Sequence, residues 1–411
     1  MQTIENSLIA LLLSEIIIYL QSDKVAENNT KASTSSVHFT CAALLQFNGQ
    51  HGSNNTSSLS PVCSPESPFR RALVPITTSA MFSSLPLLLL LLPAVLGLHS
   101  LAEELSQWGT FLTKHQKTYA DPSEQAKRFD IFVENLRLAK ARNAKEKGSA
   151  VFGVDEFSDL TREEFRKTRL MNKDLLASNK PHSMPQAAEE AYNAQDLPTA
   201  FDWRDHHAIT GVKNQEECGS CWAFSTAANI ESVYAVKKGK LFSLSEQQIV
   251  DCAKDQFGCG GGWPIQAMAD VETMGGLEPE KDYTYEGVND RCRFSKSEVA
   301  VQINNAVSLS SDEEKIAAYL VAHGGVSVAF NAEASIMGYT GGIIKLSHEE
   351  CDPGSPDHAV LLVGYGSENG VHFWIVKNSW GANWGENGYF RIFRGGNTCG
   401  IADHAVSAVV N

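Results

Sequence analysis

The chain has 411 residues, of which 43% are hydrophobic and 20% charged, and its 34 Lys and Arg against 48 Asp and Glu give a formal net charge of −14. This length exceeds that of one small core and predicts two or three folding units. The ordinary hydrophobic fraction excludes a chain that is disordered throughout, and the acidic balance argues against a general nucleic-acid-binding function. Nine cysteines are an odd number, so an exported protein with paired bridges keeps at least one free thiol.

The N-terminal 97 residues divide into two segments. Residues 1–80 are rich in Ser, Thr and Asn without sustained periodicity, so we expect an upstream extension that is disordered or absent from the mature protein. An uncleaved membrane-anchoring leader is the alternative. Residues 81–97 contain an apolar run that is too short to span a bilayer and is followed by small residues, which is typical of a secretory signal peptide. The sequence therefore predicts the secretory pathway, with a lysosomal or a secreted, digestive destination.

Residues 98–196 have the composition of charged helices. The motif Asp-Pro-x-Glu at residues 121–124 supplies an N-cap, a first-turn proline and a third-position carboxylate. Apolar residues then recur on one helix face: Phe129, Phe132, Val133 and Leu136. We expect this helix to end at Gly148 and a second helix to begin at the Thr-x-x-Glu motif of residues 161–164. Residues 172–196, with two prolines and many Ala, Asn and Gln, are predicted to be an accessible linker.

Residues 197–411 differ in charge and in pattern from the preceding part. Their 15 Lys and Arg against 27 Asp and Glu account for −12 of the net charge. The first half predicts a helix over residues 222–238. The second half predicts strands between Gly-rich turns, at residues 326–330, 359–363, 371–376 and 389–393. Helices followed by strands predict an α+β protein of two lobes, a helical lobe over residues 197–306 and a β-rich lobe over residues 307–411.

Seven cysteines lie in this last part, and six of them suffice for three bridges. Cys221, in Cys218-Gly-Ser-Cys221-Trp, stands immediately before the predicted helix. The positive end of a helix dipole favours a thiolate, so this residue is the candidate nucleophile. A redox pair or half of a zinc site is the alternative, but neither a second Cys-x-x-Cys nor a paired-histidine motif follows. We therefore expect no metal and no cofactor.

A thiolate nucleophile needs a base, a group that orients the base, and donors for an oxyanion. His358 begins an apolar strand and is the candidate base. Asn378 is expected to accept a hydrogen bond from Nδ1–H of His358, so that Nε2 faces the sulfur, and Trp380 is expected to shield that bond from water. Gln215 is expected to donate its side-chain N–H to the oxyanion, with the backbone N–H of Cys221 as the second donor.

With these residues the sequence resembles the papain-like cysteine proteases of the cathepsin type over nearly all of residues 98–411. The Cys-Gly-Ser-Cys-Trp signature is present, and His358 and Asn378 follow Cys221 by 137 and 157 residues. The resemblance implies a papain-like two-lobed α+β fold, with a helical left lobe, a β-barrel-like right lobe and the active site in the cleft. It implies a cysteine endopeptidase in which Cys221 is the nucleophile, His358 the base and acid, Asn378 the orienting group and Gln215 the oxyanion donor. The implied disulfides are Cys218–Cys259, Cys252–Cys292 and Cys351–Cys399.

The same resemblance implies that residues 98–196 hold a helical inhibitory propeptide. Its two motifs match at Glu124, Arg128, Phe132, Asn135 and Asn143, and at Gly153, Asp155, Phe157 and Asp159. Ala139 is typical of cathepsin F-like zymogens, whereas Asn143 stands where those proteins usually have Gln. Glu124, Asp155 and Asp159 are expected to hold contacts that weaken when protonated, so that acid loosens the propeptide and exposes the linker to cleavage.

The glycine-rich segment at residues 259–264 is predicted to pair with the main chain of a substrate, because glycine permits close backbone approach. By resemblance, the residues that bind or line the main specificity pocket are Gly261, Gly262, Trp263, Pro264, Ala329, Ala359 and His404. His404 is expected to make selectivity depend on pH, and a solvated histidine is the alternative. Glu216, where the family usually has Gly, and Glu217 are expected either to disfavour nearby negative charge or to point into solvent.

The expected partners are protein and peptide substrates, the chain's own propeptide and cystatin-like inhibitors, with no nucleic acid. The mature enzyme is expected to be a monomer. A catalytically impaired homologue that acts as a binding protein and an exopeptidase variant are the alternatives. No histidine-bearing insertion is evident between Cys292 and Cys351, which favours an endopeptidase.

Overall fold

The computed structural model describes residues 85–178, 184–192 and 197–411, and for residues 85–99, 190 and 192 it describes the backbone alone. The expectations for the extension at residues 1–80, with Cys41 and Cys63, lie outside the described residues, as do the first residues of the expected signal peptide. Within the described part, no helix is both long enough and apolar enough to cross a membrane.

Two helices open the described chain, α1 (Leu85–Lys114) and α2 (Pro122–Asn143). Helix α2 begins where the sequence predicts, because the Asp121 carboxylate accepts hydrogen bonds from the N–H groups of Ser123 and Glu124. The helices share a small core of buried side chains: Trp108, Phe111, Phe132, Val133 and Leu136. Fully burying side chains of this size contributes about 1.5–3 kcal/mol each.

Helix α2 ends at Asn143, so the end expected at Gly148 is wrong. The reason is a pair of hydrogen bonds between the Asn143 side chain and the Phe152 backbone, here called the bracket. Nδ2 of Asn143 donates to the carbonyl of Phe152 at 2.7 Å, and the N–H of Phe152 donates to Oδ1 of Asn143 at 2.8 Å. This bracket takes the chain out of the helix into strand β1 (Val151–Phe152), which pairs with a strand of the later sheet region. A local helix signal carries no information about such a partner.

The remaining elements before residue 197 are short: α3 (Arg162–Arg169), α4 (Lys173–Ser178) and a 3₁₀ turn at Glu189–Tyr192. Helix α3 begins at the predicted capping box, in which Thr161 and Glu164 bond reciprocally. The described parts of the expected linker are partly structured, because the Pro185 carbonyl and the Ala187 N–H both bond to the backbone of Ser308.

The helical lobe follows β2 (Phe201–Asp202) and consists of α5 (Cys221–Lys238), α6 (Glu246–Cys252) and α7 (Pro264–Met274). Helix α5 is buried on nearly every side, as expected for a central helix that packs against both lobes. It ends at Gly239, whose φ of +68° lies in the left-handed region that glycine adopts without strain.

The β-rich lobe contains one helix and eight strands. They are β3 (Asn305–Ser308), α8 (Glu313–His323), β4 (Val326–Phe330), β5 (Tyr339–Gly341), β6 (Ile343–Ile344), β7 (His358–Glu368), β8 (Val371–Lys377), β9 (Tyr389–Phe393) and β10 (Val406–Val409). The main sheet has the order β3-β10-β4-β7-β8-β9-β6, with β2 added on β7, while β1 and β5 form a separate pair. The α+β class is confirmed, and two of the predicted strands coincide with β4 and β9. The boundary expected after residue 306 falls inside β3.

Strand β7 lies between the two cores of residues 197–411. Val360 and Leu362 pack into the core of the β-rich lobe, and Ala359 packs into the core of the helical lobe with Cys221 and Trp222. The first residue of β7 therefore lies beside the first residue of α5, which is how the fold brings His358 to the thiol.

Candidate active site

Cys221 is the first residue of α5, and its thiol is fully buried. The N–H of Ala359, the second residue of β7, donates to Sγ of Cys221 at 3.4 Å. His358 is also fully buried. The first residue of a helix thus lies beside the start of a strand, with a buried thiol on one and a buried imidazole on the other.

Asn378 bonds to the other ring nitrogen of His358 than the one expected. Nε2 of His358 lies 2.7 Å from Oδ1 of Asn378, which also accepts from the N–H of Ser379 at 2.8 Å. Nδ1 has no hydrogen-bond partner among the described residues. The expected assignment of the two nitrogens is therefore wrong: Nε2–H donates to Asn378, and Nδ1 is the nitrogen without a partner among the described residues. Sequence spacing says nothing about this, because ring orientation depends on how β8 lies against β7.

Trp380 covers the His358–Asn378 pair. The ring centroids of Trp380 and His358 are 4.7 Å apart, and only 1% of Trp380 is exposed. Phe157 and Phe165 of the N-terminal region stand edge-on against the same indole, with centroids at 5.4 and 5.3 Å. This aromatic cover excludes water from the hydrogen bond, the role expected of Trp380.

Burial decides the protonation of the pair. Loss of water lowers the pKa of His358 to about 4 although the Asn378 hydrogen bond acts to raise it. Loss of water also raises the pKa of the Cys221 thiol to about 12, against the opposing bond from Ala359. Both directions favour the neutral forms, whereas the helix N-terminus was expected to favour the thiolate.

Gln215 is fully buried with its amide aimed at the cleft. Nε2 donates to the carbonyls of Cys218 at 2.8 Å and of Arg169 at 3.0 Å. Oε1 accepts from Oγ of Ser379 at 2.7 Å and from Nε1 of Trp380 at 3.1 Å, which fixes which end of the amide donates. The donor expected for an oxyanion is thus held in place, and the carbonyl of Arg169 occupies it.

The segment after α3 crosses the cleft in close contact with the backbone. The N–H of Met171 donates to the carbonyl of Asp357 at 2.7 Å, and the N–H of Asn172 donates to the carbonyl of Gly260 at 3.0 Å. A Cβ at Gly261 would approach Cβ of Met171 to 3.0 Å, so glycine is needed for this approach. The glycine-rich segment, which is predicted to pair with the main chain of a substrate, bonds here to the main chain of the protein's own N-terminal region.

The residues expected to form the specificity pocket lie around this crossing. Trp263 and His404 have ring centroids 5.1 Å apart, and with Pro264 they line a cavity of about 250 Å³. Ala329 and Ala359 are buried in the helical-lobe core, and a Cβ at Gly262 would lie 2.6 Å from the ring of Trp222. Packing against Trp222 therefore requires glycine at position 262, independently of any substrate.

The His404 ring is half-buried, and this burial lowers the pKa of its imidazole although Asp403 acts to raise it. The pKa of His404 thus lies below the ordinary value of 6.5, and a pH dependence of selectivity stays a prediction. The alternative of a solvated histidine does not fit, because the ring lies against Trp263.

An ion pair next to the site escaped the sequence prediction. Asp357 is fully buried, accepts from the N–H of Ala332 at 2.7 Å, and lies 3.0 Å from Nζ of Lys173. Burial raises the pKa of this carboxyl to about 6, against the lowering by Lys173. The only sequence signal was its position directly before His358, since nothing local links it to a lysine 184 residues away.

Glu216 and Glu217 are exposed, so of the two alternatives their side chains point into solvent. The carbonyl of Glu216 accepts a hydrogen bond from the guanidinium of Arg169. Burial lowers the pKa of Arg169, and the nearby Glu217 and Glu216 carboxylates oppose that lowering.

The first motif of the N-terminal region ties its elements together. Arg128 binds Glu124 at 2.7 Å and Glu164 at 2.8 Å, and it donates to the carbonyl of Asp159 at 3.0 Å. Asn135 donates to the carbonyls of Ser158 and Leu160. These bonds hold α2 against the turn that precedes α3.

The second motif contacts the later part of the chain. The Gly153 N–H donates to the carbonyl of Gly338 at 2.8 Å, and the N–H of Gly338 donates to Asp155 at 3.1 Å. Phe157 is buried against Trp380, as described above. Asp159 accepts from Lys117 and from the Tyr119 hydroxyl, both at 2.9 Å.

The structure contains the three disulfides that the resemblance implied. They are Cys218–Cys259, Cys252–Cys292 and Cys351–Cys399. Among the cysteines of the described residues, only Cys221 is free. The Cys218 of the Cys-x-x-Cys motif is thus bonded elsewhere, which argues against a redox pair with Cys221.

Comparison with known proteins agrees with this site. Residues 197–409 match the profile described as papain family cysteine protease, and residues 108–165 match the cathepsin propeptide inhibitor domain (I29). The chain belongs to the papain family of cysteine proteases. The predicted resemblance is confirmed, including an inhibitory propeptide in the N-terminal region.

This papain-family chain is 43% identical to cathepsin F of Mus musculus over 302 residues, which are 73% of this chain and 64% of that protein. It is 40% identical to cathepsin F of Drosophila melanogaster over 308 residues, which are 73% of this chain and 49% of that protein. It thus spans about half to two-thirds of these relatives. Thiol protease aleurain of Arabidopsis thaliana is 41% identical over 331 residues, 76% of this chain and 89% of that protein.

Solved zymogen structures have the same fold. The digestive procathepsin L2 proteinase from Tenebrio molitor larval midgut superposes with a TM-score of 0.68 at 37% identity, over 75% of this chain and 100% of that one. The digestive procathepsin L 3 from the same tissue gives a TM-score of 0.65 at 34% identity, over 75% of this chain and 99% of that one. The papain-like α+β fold of this chain is therefore confirmed.

Proposed function

We propose that the chain is a cysteine endopeptidase made as a zymogen, with Cys221 as nucleophile and His358 as base and acid. The observation that carries the proposal is the position of the free Cys221 thiol, which accepts a bond from Ala359, the residue next to His358, whose imidazole is bonded to Asn378. Catalytic thiols require a base whose second nitrogen is oriented by a third group, and this arrangement supplies both.

The proposed chemistry starts from the neutral pair. When the propeptide leaves, water reaches the cleft, the penalty of burial falls, and the Cys221 proton moves to Nδ1 of His358. The thiolate attacks a peptide carbonyl, whose oxyanion accepts from Nε2–H of Gln215 and from the Cys221 backbone N–H. His358 then protonates the leaving amine, and water hydrolyses the acyl-enzyme.

Inhibition by the propeptide follows from the same contacts. The Arg169 carbonyl occupies the Gln215 donor, and Met171 and Asn172 use the carbonyls of Asp357 and Gly260. A substrate strand needs these groups, so it cannot bind while the propeptide does. The pocket lined by Trp263, Pro264 and His404 is the proposed site of the main specificity side chain.

Labelling of the thiol tests the proposal directly. Acid-processed protein should react stoichiometrically at Cys221 with a thiol-directed epoxide and lose peptidase activity in parallel, whereas the intact zymogen should react far more slowly. A catalytically impaired binding protein would show no peptidase activity to lose. An exopeptidase would fail to cleave peptides that are blocked at both ends. Labelling at another cysteine with retained activity would refute the assignment.

The proposed trigger for processing is acid, and we propose a carboxyl group other than the three expected from the sequence. Burial raises the pKa of Asp155 to about 6 against its hydrogen bonds from Ser158 and Phe157. A group whose pKa is higher when docked stabilises docking below its free value and loses that effect as pH rises through the docked value. Protonation of Asp155 therefore strengthens docking, opposite to the expected loosening.

The pKa of Glu164 is shifted in the opposite direction. Its burial acts to raise the pKa, but bonds from the Thr161 N–H and from Arg128 outweigh it, and the net pKa lies below 4.5. A group whose pKa is lowered stabilises the folded propeptide above its free value and loses that effect as pH falls through the folded value. We therefore assign acid opening to the Glu164–Arg128 contact, in the range below about pH 4.5.

Glu164→Gln should uncouple processing from acid. We expect the variant to process about 5–10-fold faster than wild type at pH 6, with a flatter pH profile, since a partly exposed charge-assisted contact is lost. The measurement is the rate at which processed chain appears between pH 3.5 and 7. Glu163→Gln is the control, because Glu163 is an exposed neighbour in the same turn. Processing of wild type at equal rates across this range, or an unchanged profile in Glu164→Gln, would count against acid opening through this contact.

The proposed setting is the secretory pathway, ending in the lysosome or in a digestive extracellular space. Cystatin-like proteins are the proposed inhibitors of the mature enzyme, since they would have to enter the same cleft, and the mature enzyme is proposed to act as a monomer. Size-exclusion chromatography of processed protein with and without a cystatin checks both points, and a dimer or a lack of inhibition would refute the respective one.

A further inference from the structure

Arg142, in the last turn of α2, has three carbonyl partners on one loop of the protease part. One guanidinium nitrogen donates to the Met337 carbonyl at 2.8 Å. The other donates to the carbonyls of Ala334 at 3.1 Å and of Ser335 at 2.8 Å. Neither motif of the propeptide includes Arg142, and neither the proposed mechanism nor the acid trigger uses it.

The loop holds its carbonyls in place through bonds within the protease part. The Ala332 N–H donates to Asp357 at 2.7 Å, the N–H of Asn331 donates to the Cys399 carbonyl at 2.9 Å, and Oγ of Ser335 donates to the Asn331 carbonyl at 2.8 Å. None of these bonds involves the propeptide. The propeptide bonds to the same region at Gly338 and at Asp357. The bonds within the protease part are expected to remain when the propeptide leaves and to keep the Ala334 and Ser335 carbonyls close together.

A guanidinium suits this arrangement better than an ammonium. Its planar set of N–H donors reaches several acceptors at fixed angles, whereas an ammonium is a compact point charge. Burial lowers the pKa of Arg142 only to about 10, so the group stays protonated in the working range of the enzyme. Its charge lies 3.8 Å from the centre of the Phe152 ring, and Asn143 holds Phe152 through the bracket that ends α2.

We propose that the carbonyls of Ala334, Ser335 and Met337 form a guanidinium-binding site on the protease part, and that Arg142 is the positioning residue through which the propeptide occupies it. The site selects a propeptide that carries arginine at this position over one that carries lysine or an apolar residue. The proposal rests on the proposed function in one respect, namely that the docked propeptide covers a protease cleft. The binding itself requires no catalysis.

Chemical rescue in the full chain tests the site. In a Cys221→Ala background, Arg142→Ala should increase the hydrogen-exchange rate of the Gly153 N–H, which bonds across to Gly338, by at least about tenfold, because the loss of charge-assisted hydrogen bonds is worth this much. Ethylguanidinium should restore slow exchange with saturation, whereas ethylammonium at the same ionic strength should not. Arg142→Lys should show the fast exchange without rescue. Arg137→Ala, which truncates an exposed arginine on the same helix, should behave as the unmodified background in both salts.

Each outcome decides for or against the site. Unchanged exchange in Arg142→Ala, or equal rescue by ethylammonium, would overturn the proposal. If Arg142→Ala also loses protection from exchange in α5, that variant is unfolded. Arg142→Lys, which keeps the charge and the aliphatic stem, then replaces it in the test. If the Gly153 N–H of Arg142→Lys exchanges as slowly as in the Cys221→Ala background, the proposal is overturned. With Cys221 intact, Arg142→Ala should also accelerate labelling of that thiol in the zymogen. Failure of the wild-type chain to cleave any peptide would refute the proposed function but leave the exchange result standing.

Discussion

Replacement of Cys221 by alanine is expected to abolish peptidase activity while the zymogen stays folded. Loss of the nucleophile in a covalent protease costs on the order of 10⁶ in kcat. The substitution removes one sulfur that is bonded to no other cysteine, and it leaves alanine at the first position of a helix. The contacts that hold the propeptide use the backbone and other side chains, so docking should persist.

The measurement is hydrolysis of a quenched peptide after the variant has been processed in trans by a trace of wild-type enzyme that is then inactivated. Far-ultraviolet circular dichroism and unchanged thermal unfolding of the unprocessed chain establish that the fold is intact. Wild type taken through the same steps is the positive control. Residual turnover in Cys221→Ala with normal KM and a kcat above that of the inactivated trace would remove Cys221 from the mechanism.

Replacement of Gln215 by alanine is expected to lower kcat by about 10²–10³ with little change in KM. The amide donates where charge develops only after attack, so its loss affects the transition state more than the bound substrate. Oε1 of Gln215 also anchors Ser379 and Trp380, so a small loss of stability should accompany the kinetic effect. In the unprocessed variant, the thiol-directed epoxide should also label Cys221 faster than in the wild-type zymogen, since one bond to the Arg169 carbonyl disappears.

Gln247→Ala is the matched control for this experiment. Gln247 is likewise fully buried, and its Nε2 donates to Asp251 and to the carbonyl of Val288, both at 2.8 Å. Neither partner belongs to the proposed site. It should lose stability but retain kcat. Steady-state kinetics and thermal unfolding of both variants separate the two effects. Equal losses of kcat in the two variants, or a change confined to KM in Gln215→Ala, would contradict the oxyanion role.

Much of the fold follows from interactions between residues close in sequence, and these interactions are also present in the tertiary structure. The start of α2 depends on the side chain of Asp121 and the N–H groups of the next turn, and the start of α3 depends on Thr161 and Glu164. Strands β4 and β9 have the predicted bounds, since β-branched and aromatic residues between glycine-rich turns are compatible with little else. Interactions over three or four residues are visible in the sequence because their partners are adjacent.

Contacts between distant residues were not predictable in this way. Lys173 reaches Asp357, and Arg142 reaches the carbonyl of Met337, 195 residues further along the chain. The end of α2 was predicted too late for the same reason, because the side chain of Asn143, the last residue of the helix, binds the backbone of Phe152. Backbone carbonyls carry no residue-specific signal, so a side chain that binds them has no partner that a pattern would reveal.

The amino-acid sequence by itself supplied the candidate residues of the site: a thiol at a helix start, a histidine at a strand start, and the amides of Asn378 and Gln215. The tertiary structure alone decided which nitrogen of His358 faces Asn378 and in which direction burial shifts the pKa values of the thiol and the imidazole. A helix N-terminus favours the thiolate through local dipoles, whereas burial under a distant segment removes water from both groups. Desolvation is the larger effect here, and it depends on what packs over a residue rather than on its neighbours in the chain.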